Sequence, residues 1–308
     1  MFKALENRFN RIEYFTSNRA LLWMTLGGFT FAAMGALTHG LGKYCDWLLI
    51  VLFRMAFTFI ATLVFTVNTG TPPFVINRPL LWFRSAVGCI AMLATFYALT
   101  KAPISDVAVI TETRPIWVAL LAGFFLGEST NRKIWISIII GLIGVILIEY
   151  PYIKKGDFAI LSAFLAAFTG AIVMICLRKL RALDPRSIVI HFSGTATIVS
   201  LLLIIFYRQD PNLSVLLNPT IILMLIGVGL FGTIGQLAMT KAFSIGQAPS
   251  VASAGYSKIG FSAAFDFAIW KNSIELSTIA GMILILTSVT WLFKKGKRNS
   301  GRELNNSF

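Results

Sequence analysis

The stretch Val109–Glu128, VITETRPIWVALLAGFFLGE, sets two full charges, Glu112 and Arg114, inside an otherwise apolar run. In a water-soluble domain this would be a core helix spoiled by two misplaced charges. The surrounding composition removes that reading. The 308 residues are 56% hydrophobic and only 13% charged, with a mean hydropathy of +0.78, whereas soluble chains carry about a quarter charged residues. Most of these side chains must be solvated by lipid.

A hydrocarbon core about 30 Å thick takes about 20 apolar helical residues, because backbone groups in lipid bond internally. Ten such runs follow along the chain, at about 21–41, 46–67, 79–100, 104–127, 133–149, 157–177, 187–207, 219–243, 247–270 and 274–293. They lack the polar face that a helix bundle in water requires. The connections are short and hold the breakers: Gly70-Thr71-Pro72-Pro73, Pro151, Asp184-Pro185, Asp210-Pro211 and Asn218-Pro219. The fold class is all-α and membrane-spanning.

The net charge of +14 is not a nucleic-acid footprint, since the cations sit between the apolar runs and at the termini. With the N-terminus inside, inner segments hold 17 Lys and Arg and outer segments 6. The positive-inside rule therefore places both termini in the cytoplasm and the protein in the inner membrane. Residues 1–20 read as a charged cytoplasmic tail rather than a signal peptide, and 294–308 as a basic one. Trp23, Trp47, Trp82, Trp135, Trp270 and Trp291 fall near span ends, where an amphipathic ring prefers the headgroup region. Cys45, Cys89 and Cys176 show no paired spacing, so neither a disulfide framework nor a thiolate metal site is expected. No phosphate loop, His-Glu-x-x-His or other cofactor motif is present.

The chain also contains a weak copy of itself. Ala98-Leu-Thr-Lys-Ala102 closes the third span and Ala238-Met-Thr-Lys-Ala242 the eighth. Each is followed by a small-residue segment and a span with one buried cation, Arg114 in the fourth and Lys258 in the ninth. Ile139-Ile-Gly141 in the fifth span is echoed by Ile279-Ala-Gly281 in the tenth. The units are 21–149 and 157–293. Each holds five spans, an odd number, so the second must be threaded from the opposite side. Inverted five-helix repeats place a substrate site near the bilayer midplane between the halves and support alternating access.

Phe53-Arg54-Met55, the Ala98…Ala102-Pro103 segment and above all Pro115…Leu126-Gly127-Glu128 resemble the drug/metabolite transporter superfamily, and within it the EamA-type carriers. The likeness covers nearly the whole chain. It implies export or uptake of small organic metabolites, and the S-adenosylmethionine carriers are similar members. One departure stands in the second half, where the comparable glutamate is replaced in Trp270-Lys271-Asn272.

Six ionisable residues lie well inside spans: Arg54, Arg84, Glu112, Arg114, Lys258 and Asp266. Each costs about 2.5–3.5 kcal/mol at a helix centre unless it finds water or a partner. Glu112 and Arg114 point about 200° apart on a regular helix and cannot pair. Arg54 lies at the same depth as Glu112, about 12 Å below the outer surface, and is the first choice of partner. That pair, with Asp266, forms the candidate set for charge pairing or proton coupling. Pro115 predicts a helix opened near Thr111. Arg84 is expected to snorkel inward. Gly123-x-x-x-Gly127 and Ala163-x-x-Ala166-Ala167-x-x-Gly170 read as close helix contacts. The expected substrate residues are Arg114 and Lys258 for a carboxylate, Tyr97, Trp117 and Tyr256 for a ring, and Gln236 for orientation. The expected cargo is an amino acid or another anionic or zwitterionic metabolite. The alternative is a membrane-embedded enzyme or scaffold that transports nothing.

Overall fold

A computed structural model of the chain describes residues 2–70, 72–101, 110–128, 131–149, 158–206, 217–270, 276–277, 279–288 and 290–291. The side chains of residues 2–17, 96, 99–101, 149, 159, 266 and 270 lie outside that description. The elements are α1 (Phe2–Leu41), α2 (Trp47–Val67), α3 (Pro79–Lys101), α4 (Arg114–Leu126), α5 (Arg132–Glu149), α6 (Phe158–Lys179), α7 (Pro185–Phe206), α8 (Pro219–Ile245), α9 (Ala248–Ala254), α10 (Ser257–Trp270) and α11 (Ile279–Ser288). No strand occurs among the described residues. Asn18–Leu41, Trp47–Val67, Ile160–Lys179, Pro185–Phe206 and Pro219–Ile245 are each long and apolar enough to cross a membrane. The charged N-terminal segment belongs to α1, whose helix already begins at Phe2.

Loop punctuation starts the helices. The Asp46 and Asn218 carboxylate and amide oxygens accept the Leu48 and Thr220 N–H groups at 2.8 and 2.9 Å, each satisfying an orphan donor of a first turn. Pro185 and Pro219 open α7 and α8, where a missing N–H costs nothing. Asp184 accepts from the Arg186 N–H at 2.8 Å, and the Arg186 guanidinium holds its carboxyl below the usual carboxylate range.

The helices interleave by a rule of exchange. α1 packs on α8 and α6 on α3; α1 also packs on α10 and α6 on α4; α2 packs on α8 and α7 on α3. Swapping each helix for its counterpart five spans away turns each pair into its mate. α2 against α7 and α5 against α11 are their own mates. A five-helix unit and its copy thus share one pseudo-two-fold, and the odd span count makes the copy inverted. Most of the core lies between repeats rather than within one.

Where α5 crosses α11, the backbones touch. A methyl on Gly144 would stand 2.8 Å from the Gly281 carbonyl oxygen, and one on Gly281 2.5 Å from that of Gly144. Beside this crossing the Ser288 hydroxyl donates to the Ser137 carbonyl at 2.8 Å, and the Ser137 and Ser253 hydroxyl oxygens are 3.0 Å apart, all buried. Ala163, Ala166 and Ala167 are likewise buried, in the helix α6 that packs on α3. Gly123 corrects the expectation for its motif: a methyl added there would meet nothing within 4 Å among the described residues, so no close helix crossing needs this glycine. Gly144→Val should therefore destabilise the protein by about 1–3 kcal/mol through overpacking, whereas Gly123→Ala, with room for its methyl, should leave the unfolding temperature in detergent unchanged or slightly raised, by about 0.5–1 kcal/mol of helix propensity. Thermal unfolding of both variants checks the pair.

Candidate functional site

Both repeats interrupt a helix at places that match to within one residue. In the first, Glu112 and Thr113 form a turn before α4, closed by Thr113 N–H to Ile110 O at 3.1 Å and Ile116 N–H to Thr113 O at 2.9 Å. Pro115 stands in the first turn of the new helix, where proline is tolerated, so it starts a helix rather than kinking one. In the second, Gly255 and Tyr256 turn between α9 and α10. Here the Tyr256 N–H reaches Ser253 O at 3.2 Å and the Lys258 N–H reaches Gly255 O at 3.0 Å. The span expected over 247–270 is therefore two helices. An offset of 144 residues carries Arg114 onto Lys258, so each cation sits just past its own break.

The breaks bring unlike charges together. Lys258 Nζ lies 3.6 Å from Glu112 Oε1. The two side chains differ sharply, Glu112 being 8% exposed and Lys258 42%. Sequence depth had matched Glu112 to Arg54, and this is corrected. Arg54 on α2 faces α8, where a methyl on Gly232 would come within 3.0 Å of its Nε, and it makes no ion pair with Glu112. Depth can be counted along a chain, but azimuth depends on which helix arrives as neighbour.

Several buried polar atoms lack a hydrogen-bond partner: Arg114 Nε and Trp117 Nε1 on α4, Gln236 Nε2 on α8, Tyr256 OH in the second turn and Ser257 Oγ at the start of α10. Arg114 and Trp117 both lean on α6. The Arg114 guanidinium occupies space left by Gly170, and the Trp117 ring meets Phe168 edge-on at 5.5 Å. Tyr256 is wholly buried against Gly141 of α5. Most of the unused atoms are donors, so a ligand rich in acceptors would satisfy them.

Tyr97 lies elsewhere. It is exposed, in a groove of about 310 Å³ with Phe158, Leu161, Ser162 and Leu165 along α3 and α6. Asp266 belongs to α10, with its side chain outside the described residues. Arg84 does not snorkel: it is 1% exposed, with its guanidinium 4.2 Å from the Phe192 ring centroid. That stacking anchors it at the α3–α7 interface. His191 beside it shares a 2.8 Å hydrogen bond with Ser85.

One functional contact escaped sequence reasoning. Gly127 takes a left-handed φ of 63°, which ends α4 and turns the chain so that Glu128 reaches back across the bundle. Its carboxylate accepts Arg178 Nε at 2.6 Å and the Ala248 N–H at 2.9 Å, while Arg178 also donates to Ser244 O at 3.3 Å. The carboxylate thereby satisfies the start of α9 and fixes the broken helix that leads to Lys258. The signal was present in Leu126-Gly127-Glu128, as a left-handed stop followed by an acid. A double-mutant cycle of Glu128→Ala with Arg178→Met should give a coupling of about 0.5–3 kcal/mol in unfolding experiments. Additive losses would show that the two groups do not interact.

Comparison with known proteins places this geometry. The model of the EamA-like transporter family matches residues 18–150 and again 157–294. The pseudopaline exporter CntI of Pseudomonas aeruginosa is 28% identical over 283 residues, covering 90% of this chain and 96% of that protein. An S-adenosylmethionine uptake transporter of Rickettsia prowazekii is 25% identical over 91% of this chain and 94% of its own length. An uncharacterized transporter of Helicobacter pylori J99 is 30% identical over 68% of this chain and 71% of its own. A crystal structure with 14% sequence identity shares the fold, with a TM-score of 0.80 over 92% of this chain and 99% of that one. With two matching repeats and helices apolar enough for a multi-pass membrane protein, the chain belongs to the EamA-like transporter family.

Proposed function

We propose that this transporter carries a small amphoteric metabolite, one bearing both amine and carboxylate groups, across the cytoplasmic membrane by alternating access, with both termini inside. The observation that carries the reading is the meeting of Glu112 and Lys258 at two facing helix breaks. Non-helical backbone and charge are tolerated at membrane depth where they line a wet cavity or lie buried in protein. An exposed lysine beside a buried carboxylate offers both signs of charge within one reach.

Arg114 and Lys258 meet the cargo's carboxylate in this account, Gln236 and Tyr256 orient it, and Trp117 packs on its apolar part. Tyr97 lies on the approach along α3 and α6, while Arg54 braces α2 on α8. Glu112, and Asp266 further along α10, are the groups able to couple a proton to the movement. The named cargoes of the relatives support the substrate class. S-adenosylmethionine joins an amino-acid head to an aromatic base, and the presence of both an exporter and uptake carriers among the relatives is compatible with either direction here.

Flux through protein reconstituted in vesicles, with and without an imposed pH gradient, tests the proposal. Arg114→Ala and Lys258→Ala should each lower flux about ten- to hundred-fold, the loss of one charge-assisted hydrogen bond worth about 1.5–3 kcal/mol, while the protein still inserts. Undiminished flux in both variants would remove these residues from the site. Absence of flux for any screened metabolite would favour a scaffold instead.

A further inference from the structure

We infer that Lys258 serves the empty carrier as a tethered stand-in for its cargo. Its ammonium occupies the place at Glu112 that the amine of the transported molecule takes. The inference rests on the carrier reading above and narrows its substrate class to molecules with a free amine.

Among the described residues two carboxylate–cation pairs cross the halves, and they differ in kind. Glu128 and Arg178 meet at 2.6 Å, are about equally buried, and are cross-braced by the Ala248 N–H and the Ser244 carbonyl. Such a pair is short, saturated and fixed. Glu112 and Lys258 stand 3.6 Å apart, beyond the usual length of a charge-assisted hydrogen bond. Among the described residues no other cation lies within 4.0 Å of Glu112. The burial is one-sided: the acid is held in a turn inside the protein, while the flexible four-carbon lysine side chain stays partly exposed.

That asymmetry sets out an exchange. An ionised carboxylate buried without a partner is costly, so Glu112 keeps a cation whenever it is ionised. Lys258, the exposed partner, is the one that can leave. A cargo ammonium takes its position, and the released lysine turns to the cargo's carboxylate. The charge at Glu112 stays balanced throughout. A plain dicarboxylate has nothing to offer Glu112 and leaves the internal pair closed, so the pair selects against it.

The full chain in lipid nanodiscs tests this with methylammonium as the probe. Acetylation of Lys258 by a water-soluble succinimidyl ester is followed by peptide mass spectrometry, with Lys179 and Lys241 as internal references. Methylammonium chloride, whose free amine consumes part of the ester, should raise the Lys258 rate relative to Lys179 and Lys241 several-fold over sodium chloride at equal ionic strength, because an amine no longer held at a carboxylate is freer to reach the ester. Glu112→Gln should show the raised rate without the probe and no further response to it. A wild-type rate unmoved by methylammonium, or a Glu112→Gln rate equal to wild type, overturns the inference. Flux is read in parallel: flux with an unresponsive Lys258 sinks this exchange and spares the carrier reading. A responsive Lys258 without flux supports the exchange and sinks the carrier reading.

Discussion

A backbone amide in hydrocarbon has no water to bond, so a membrane span that stops being helical midway must answer for every group it frees. Among the described residues this chain stops twice, at Glu112–Thr113 and at Gly255–Tyr256. Both stops are tightened by N–H groups reaching back three residues instead of four, which keeps several carbonyls bonded through the turn. The breaks face one another because the two repeats are inverted and interleaved. At that meeting stand the acid on one break and the lysine just beyond the other.

The pseudo-symmetry is unequal in its chemistry. At the end where α4, α6 and α8 finish, Glu128 and Arg178 tie both repeats to the start of α9. The matched place in the second half reads Lys271-Asn272, with no acid to mirror the tie. The broken helix carrying Lys258 is thus anchored at its root by the partner repeat, which allows the lysine to be mobile while its helix is fixed. The close α5–α11 crossing at Gly144 and Gly281 gives the halves a second rigid seam. A carrier that rocks needs such seams, since motion confined to a few interfaces leaves the site geometry intact.

How much of this could be read from the residues follows from what one dimension encodes. Apolar length marked the spans, and the paired Ala98 and Ala238 motifs marked the repeat. Pro115 announced the first break because proline constrains its own neighbours. Gly255 gave no comparable warning, as one glycine among many in small-residue chain, and the ninth span was read as continuous. Lys258 and Arg114 were legible as cations without local anions. Their partners were not: Glu112 was matched to Arg54 by depth, while packing turned Arg54 toward Gly232 and brought Lys258 across the pseudo-axis. Arg84 looked like a snorkelling residue because Pro79 lies near; its stacking on Phe192 depends on α7, more than a hundred residues later.

The central measurement is water access to position 258 from each side of the membrane. Lys258→Cys, with Cys45, Cys89 and Cys176 replaced by alanine, is labelled with a membrane-impermeant thiol reagent in right-side-out and in inside-out vesicles. Two inverted halves closing in turn around a hydrated centre predict labelling in both preparations. Labelling in neither, with reaction only toward a lipid-soluble reagent, would place the side chain in the bilayer and contradict the account.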